Sequence, residues 1–372
     1  MTVRTATTRL LYVDNLRVAL TALVVLHHVA VTYGNIPLWF YTEPAKDPSG
    51  LALDLLVGLD QAFFMGLFFL ISGFFTPGAH DRKGAGPFLK DRLVRLGVPL
   101  LAFLLLLRPL VNFGFYSSVE EQVGVTDLPY WLFYLLSWDP GPMWFVEVLL
   151  VFTALYVVLR RFTTPATGQA TPVARPAPAP PGVRQIAAFA LGLTVVTFLW
   201  RLAVPVGAYW QFVGLPSPAY LPQYASLFAV GVLAYRGQWL DALSPKARRP
   251  SFVISGVATA VLLPVTTITD GALRTLVSAA WESVFAVTVV IGLLSLFRGR
   301  FDRQGRRGRF LSEHAYTVYV VHPLVLVGLG YAFRPLDAPA IVKFAVVAVF
   351  ALPLCWGLAY AVRSLPGARK VL

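Results

Sequence analysis

The sequence predicts an all-α, polytopic integral membrane protein with about ten transmembrane helices and both termini in the cytoplasm. Three observations carry that prediction. Of 372 residues, 57% are hydrophobic and only 13% charged, which is about half the charged share of a soluble globular chain. Apolar segments of about 20 residues, the length that crosses a bilayer, recur from one end to the other. Most of the 31 Lys and Arg fall in alternate connections between those segments, as the positive-inside rule requires.

Taken in order, the expected spans are 14–35, 51–76, 95–116, 142–160, 184–204, 219–236, 250–268, 273–297, 311–332 and 339–362. The basic connections include Arg82–Arg95, Arg160–Arg184, Arg236–Arg249 and Arg298–Arg309. The opposite side carries Glu43, Asp47, Glu120, Glu121 and Asp127. Segment 129–138 is too short to span and rich in Trp, Tyr and Phe, so it is expected at the interface or as a re-entrant lead into the fourth span. The apolar run after Arg4 and Arg9 is too long for a signal h-region and lacks a clear cleavage site, so it is expected to stay as the first span. The Pro/Ala-rich stretch 163–182 cannot form a core and reads as a cytoplasmic linker between two five-helix halves of a single domain. No internal repeat is visible. The net charge of +13 is explained by this sidedness, so nucleic acid is not expected as a partner; the lipid bilayer is. The one cysteine, Cys355, lies in an apolar segment, so disulfides and cysteine-based metal sites are excluded, and no metal or bound cofactor is called for.

The first span carries the first chemistry. Arg17 and His28 are eleven residues apart, three helical turns, so they share a face and stand roughly 16 Å apart along the axis. An ionisable group at membrane depth is a functional candidate by default. An arginine at the cytoplasmic mouth can hold phosphate, and a histidine at depth can act as a base on the far end of a long ligand. The plainer reading of His28 is a ring hydrogen-bonded to a neighbouring helix. His27 points about 100° away and reads as structural.

Arg92 and Arg95 lie one turn apart at the start of the third span and suit a phosphorylated cytosolic ligand; positive-inside anchoring would explain them equally. Ser72-Gly73 allows close helix approach. Glu147 opens the fourth span and needs a partner, since a buried carboxylate is costly alone. Arg108 is expected to pair with it or with Asp60, while Asp54 and Glu282 are further intramembrane acids. Carboxylates together with Trp144, Trp210 and Tyr209 would suit a sugar in an outer cavity. In the ninth span Tyr316, Tyr319 and His322 follow one another, with His322 at roughly the depth of His28. His322 lines the same cavity or else caps the backbone freed by Pro323. The chain has no P-loop and no dinucleotide fingerprint.

Together Arg17 and His28, the FFLISGFF segment (Phe68–Phe75), the Arg92/Arg95 pair, the GPMWF start of the fourth span and the Tyr319–His322 pattern resemble the acyltransferase 3 family of membrane acyltransferases. The wording is most similar to the branch named for the protein that succinylates periplasmic glucans. The resemblance covers nearly the whole chain. It implies a cytosolic acyl-CoA co-substrate as donor of an acetyl or succinyl group. It also implies O-acylation of a hydroxyl-bearing acceptor, a glycan or similar, at or beyond the membrane. His28 would be catalytic, with Glu147 and His322 as assisting candidates. Arg17, Arg92, Arg95, Ser72 and Tyr319 would bind acyl-CoA, and Trp144 and Asp60 would bind the acceptor. The sequence shows no appended SGNH-type esterase domain, as some members of that family have, so the acceptor is expected to be handled by the membrane domain or a partner. The competing class is a proton-coupled transporter or exporter, since intramembrane Asp, Glu, Arg and His also make proton relays.

Overall fold

A computed structural model describes residues 9–36, 38–123, 129–163 and 180–372, without the side chains of 117–123 and of residue 212. The linker expected over 163–182 lies almost wholly outside the described residues, as does Asp127, and the side chains of Glu120 and Glu121 are not described.

The described chain is helical, apart from one isolated bridge between Trp210 and Leu215. In order the helices are α1 Leu11–Tyr33, α2 Gly50–Gln61, α3 Phe64–Lys83, α4 Ala85–Arg92, α5 Val98–Ala102, α6 Arg108–Val123, α7 Tyr130–Leu136, α8 Trp144–Thr163 and α9 Val183–Ala203. They continue with α10 Leu221–Arg236, α11 Trp239–Ala242, α12 Arg248–Ile268, α13 Gly271–Arg300, α14 Arg306–Phe333 and α15 Ala340–Ser364. Among the described residues, nine helical stretches are long and apolar enough to cross a membrane. The chain is a multi-pass membrane protein.

The sixth expected span, 219–236, forms a helix of only 16 residues, α10. It packs along α3, running in the same direction. Gly73 meets Phe228, Gly231 meets Leu70 and Gly78 meets Tyr235, so residue numbers rise together along the pair. At Gly73 and Gly231 a Cβ would collide with the partner's backbone carbonyl. Only glycine permits this approach, the use expected of Ser72-Gly73.

The second span is not one helix. It breaks at Ala62–Phe63, between α2 and α3. With no water in the bilayer core, a freed carbonyl needs an internal partner, and the buried Gln223 Nε2 donates to the Ala62 oxygen at 2.8 Å. The third span carries two π-helical turns, Leu93–Gly97 and Phe103–Leu107. Each precedes a proline that cannot donate. Pro99 has no N–H for the carbonyl of Arg95, and the Tyr316 hydroxyl takes that carbonyl at 3.1 Å. Near Pro109 the Leu104 carbonyl is taken by the Tyr134 hydroxyl. Helix α7 thus folds back on the third span.

Helix α1 is the hub, packed against α2, α3, α13, α14 and α15. Its buried face holds Leu16, Leu20, Val24 and Val25, each at most 3% exposed.

Candidate functional site: a basic cavity beneath a histidine pair

Helix α1 is unbroken from Leu11 to Tyr33, so the spacing of Arg17 and His28 is realised in one rod. Between them, Arg17, Thr21 and Val24 line a cavity of about 470 Å³. These residues fall at i, i+4 and i+7, the stripe that ends on His28 at i+11. The same cavity is lined by Ser72 of α3, Arg92, Arg95 of the π turn, and Tyr316 and Tyr319 of α14. Sequence reasoning assigned Arg17, Ser72, Arg92, Arg95 and Tyr319 to donor binding, and the structure gathers all five around one space.

Arg369 and Lys370 join them at the mouth. Nothing local in the sequence shows that the segment after α15 turns back to this cavity. The cations are lightly engaged. Arg17 is 3.7 Å from Asp14 and Arg95 is 3.2 Å from Asp91. The Arg92 Nε is buried without a partner, and its guanidinium stands 5.4 Å from the Phe88 ring. A cavity-lining guanidinium with a buried, unpartnered nitrogen is what an anion would satisfy.

Above the cavity a column of rings leads outward. Tyr316 faces Tyr319 with centroids 6.4 Å apart, and Tyr319 faces His322 at 6.0 Å. His322 stacks on His28 at 5.0 Å, and His28 on Trp39 at 4.0 Å. Tyr319 itself is held by donating its hydroxyl to the Pro142 carbonyl. Trp39 lies in the loop after α1, and sequence reasoning missed it. The only local signal was a Trp-Phe-Tyr run in a polar connection. The loop is pinned over the histidines by Glu43 N–H to the Thr32 oxygen at 2.8 Å and by the ion pair of Glu43 with Lys343. Asp47 accepts the Ala340 N–H at 2.8 Å. Hydrogen bonds from Ser49 and Ala340 hold the Asp47 carboxyl below its ordinary range.

The hydrogen bonds fix the tautomers of the pair. His322 Nδ1 is 2.7 Å from the Tyr319 carbonyl. A carbonyl only accepts, so Nδ1 carries the proton and Nε2 a lone pair. Pro323 has no N–H for the carbonyl of Tyr319, four residues back. Of the two readings of His322, the cap is the one realised: Nδ1 caps the freed carbonyl, while the ring does not line the cavity and its Nε2 faces His28. His28 Nδ1 lies 3.0 Å from the Val24 carbonyl and 3.2 Å from His322 Nε2. It must donate, and both partners accept. The lone pair of His28 is left on Nε2, outside this network, which is the state a general base needs.

Other expected site residues lie elsewhere. Asp60 is 4% exposed and faces His27, with 3.6 Å between His27 Nδ1 and Asp60 Oδ2. Trp144 is 8% exposed and stacks on Tyr224 at 5.4 Å. Neither lines the cavity, and Trp144 belongs to the aromatic core with Phe69. Glu147 is half-buried beside Val146 and Leu149 and makes no hydrogen bond or ion pair with either histidine among the described residues. The pairings expected of Arg108 with Asp60 or Glu147 do not form. Arg108 donates to the Ser137 carbonyl and stands 4.7 Å from the Tyr134 ring, because α7 packs on the proline-broken third span. Glu282 instead pairs with Arg201 at 2.5 Å, both buried.

Comparison with known proteins gives the class, a membrane acyltransferase, and its family. The family model described as "Acyltransferase domain", of the acyltransferase 3 type, matches residues 10–360. The chain belongs to this family. It is 26% identical over 332 residues to the Glucans biosynthesis protein C of Salmonella schwarzengrund, covering 85% of this chain and 82% of that protein. The protein of the same name from Salmonella heidelberg is 25% identical over 340 residues, with the same coverage. No solved structure matches the chain at a significant level.

Proposed function

We propose that this enzyme is an O-acyltransferase that takes an acetyl or succinyl group from cytosolic acyl-CoA and transfers it to a hydroxyl of a glycan at or beyond the outer face. The observation that carries the reading is one cavity that gathers Arg17, Arg92, Arg95 and Tyr319 and is lined on α1 by the stripe leading to His28. The names of the glucan biosynthesis relatives support the glycan.

In this scheme Arg17, Arg92 and Arg95 hold the phosphates of the donor, with Arg369 and Lys370 at the mouth. The pantetheine arm runs along Thr21 and Val24. His28 Nε2 takes the proton of the acceptor hydroxyl as its oxygen attacks the thioester carbon. The imidazolium that forms is stabilised by its Nδ1–H to His322 and Val24. The tetrahedral intermediate collapses with loss of the thiolate, which recovers the proton from His28. The products are the ester and free CoA. His322 is a positioning residue in this scheme.

The test is thioester cleavage by the purified protein. Free thiol should appear from acetyl-CoA or succinyl-CoA when a glucan acceptor is added, and His28→Ala should abolish it. Uptake of substrate into vesicles with no thiol released would replace this reading with transport.

A further inference from the structure

A second cavity, of about 410 Å³, lies on the basic side between the start of α12 and the end of α13. It shares no residue with the first. Four cations line it, Lys246, Arg248, Arg249 and Arg300, and no carboxylate does. None of the four forms an ion pair among the described residues. Ser295 also lines it, from the α13 side. Its side chain is 1% exposed, and its hydroxyl is buried without a hydrogen-bond partner. Buried hydroxyls are normally satisfied, so an orphan facing four unpaired cations points to a missing acceptor. The start of α12, a helix of 21 residues, adds the positive end of its dipole. Gly299 lines the cavity beside Pro245, whose Cβ would stand 3.2 Å from a Cβ placed on it, so a larger residue there would crowd the space.

The surface beyond the cations is apolar. Arg249, Val253, Val257 and Val261 fall at successive i+4 positions and so form one row. The three valines are 63%, 57% and 57% exposed. Only 11% of the membrane-spanning window that includes α12 is buried, so this row faces lipid. A ligand with a phosphate at one end and an acyl chain at the other matches both halves.

We propose that this cavity binds a phosphate group, presented by an anionic phospholipid of the cytoplasmic leaflet whose acyl chain lies along the valine row. Basic pockets between helices on this side of a membrane take such headgroups. The site is independent of the acyl-transfer reading.

Native mass spectrometry of the full-length protein in mild detergent tests it, with phosphatidylglycerol and phosphatidylcholine as separate probes. One phosphatidylglycerol should be retained, and phosphatidylcholine should not. Each cation near the surface is worth about fivefold in affinity, so the Arg248→Gln/Arg249→Gln protein should bind about twenty-five-fold more weakly. Ser295→Ala should weaken binding severalfold; it reads the same site should the double variant fail to fold. The Arg306→Gln/Arg307→Gln protein, altered on a basic connection outside the cavity, should bind as the unaltered protein does. If no lipid is retained but inorganic pyrophosphate raises the unfolding temperature in an Arg248- and Arg249-dependent manner, the phosphate site stands and its ligand is soluble. Equal weakening by both double substitutions, or no effect of any probe, overturns the proposal.

Discussion

Replacing His322 by alanine separates positioning from binding. His322 Nε2 accepts from His28 Nδ1 at 3.2 Å, and His28 turns cationic when it removes the acceptor proton. A hydrogen bond to a charged group is worth about 1.5–3 kcal/mol. Each 1.4 kcal/mol is tenfold in rate, so kcat should fall roughly 10- to 150-fold. His322 does not line the cavity that Arg17, Arg92 and Arg95 share, so the KM for acyl-CoA should stay within about twofold. The assay is thiol release against acyl-CoA concentration at saturating acceptor. His322 also caps the Tyr319 carbonyl at 2.7 Å, so thermal unfolding is measured alongside to separate lost fold from lost chemistry. A folded His322→Ala protein with unchanged kcat refutes the tautomer argument. A rise in KM with kcat preserved would move His322 into donor binding.

Three further outcomes follow from other parts of the structure. Arg92→Gln should raise the KM for acyl-CoA about tenfold or more with little change in kcat, because a charge-assisted phosphate contact is worth about 1.5–3 kcal/mol; equal KM values would remove Arg92 from the donor site. Arg201→Met leaves Glu282 buried and unpaired and should cost about 3–5 kcal/mol, while Arg201→Met/Glu282→Leu should recover most of it; unfolding temperatures of the two variants check this. Gly73→Leu should prevent α3 and α10 from meeting and cost about 1–3 kcal/mol or more, read as loss of folded protein in detergent, while a stable variant would contradict the close parallel packing.

Much of the site was legible because it lies on single helices. The eleven-residue spacing of Arg17 and His28 fixes a shared face in any α-helix, and Arg92 and Arg95 are one turn apart. Hydropathy and charge alone place the spans, and α1, α9, α12 and α15 begin and end within a few residues of the expected bounds. What the sequence did not disclose depends on meetings between distant segments. The break at Ala62–Phe63 involves no proline or glycine, and it is stabilised by Gln223, more than a hundred residues later. Trp39 reaches His28 only because Glu43, Lys343, Asp47 and Ala340 pin its loop. Arg108 was expected to seek a carboxylate, yet the π turn beside Pro109 brings α7 and the Ser137 carbonyl to it first. Prolines 99 and 323 were visible, as was His322 as a cap for the carbonyl Pro323 frees, but not that Tyr316 would take the one freed by Pro99.

The measurement closest to the central claim uses vesicles containing the enzyme in one orientation, glucan inside and acyl-CoA outside, with the basic face outward. The account predicts acylated glucan in the lumen, free CoA outside in equal amount, and neither product with His28→Ala. Intact acyl-CoA or glucan crossing the membrane without thioester cleavage, or acylation that continues in the His28→Ala protein, would contradict it.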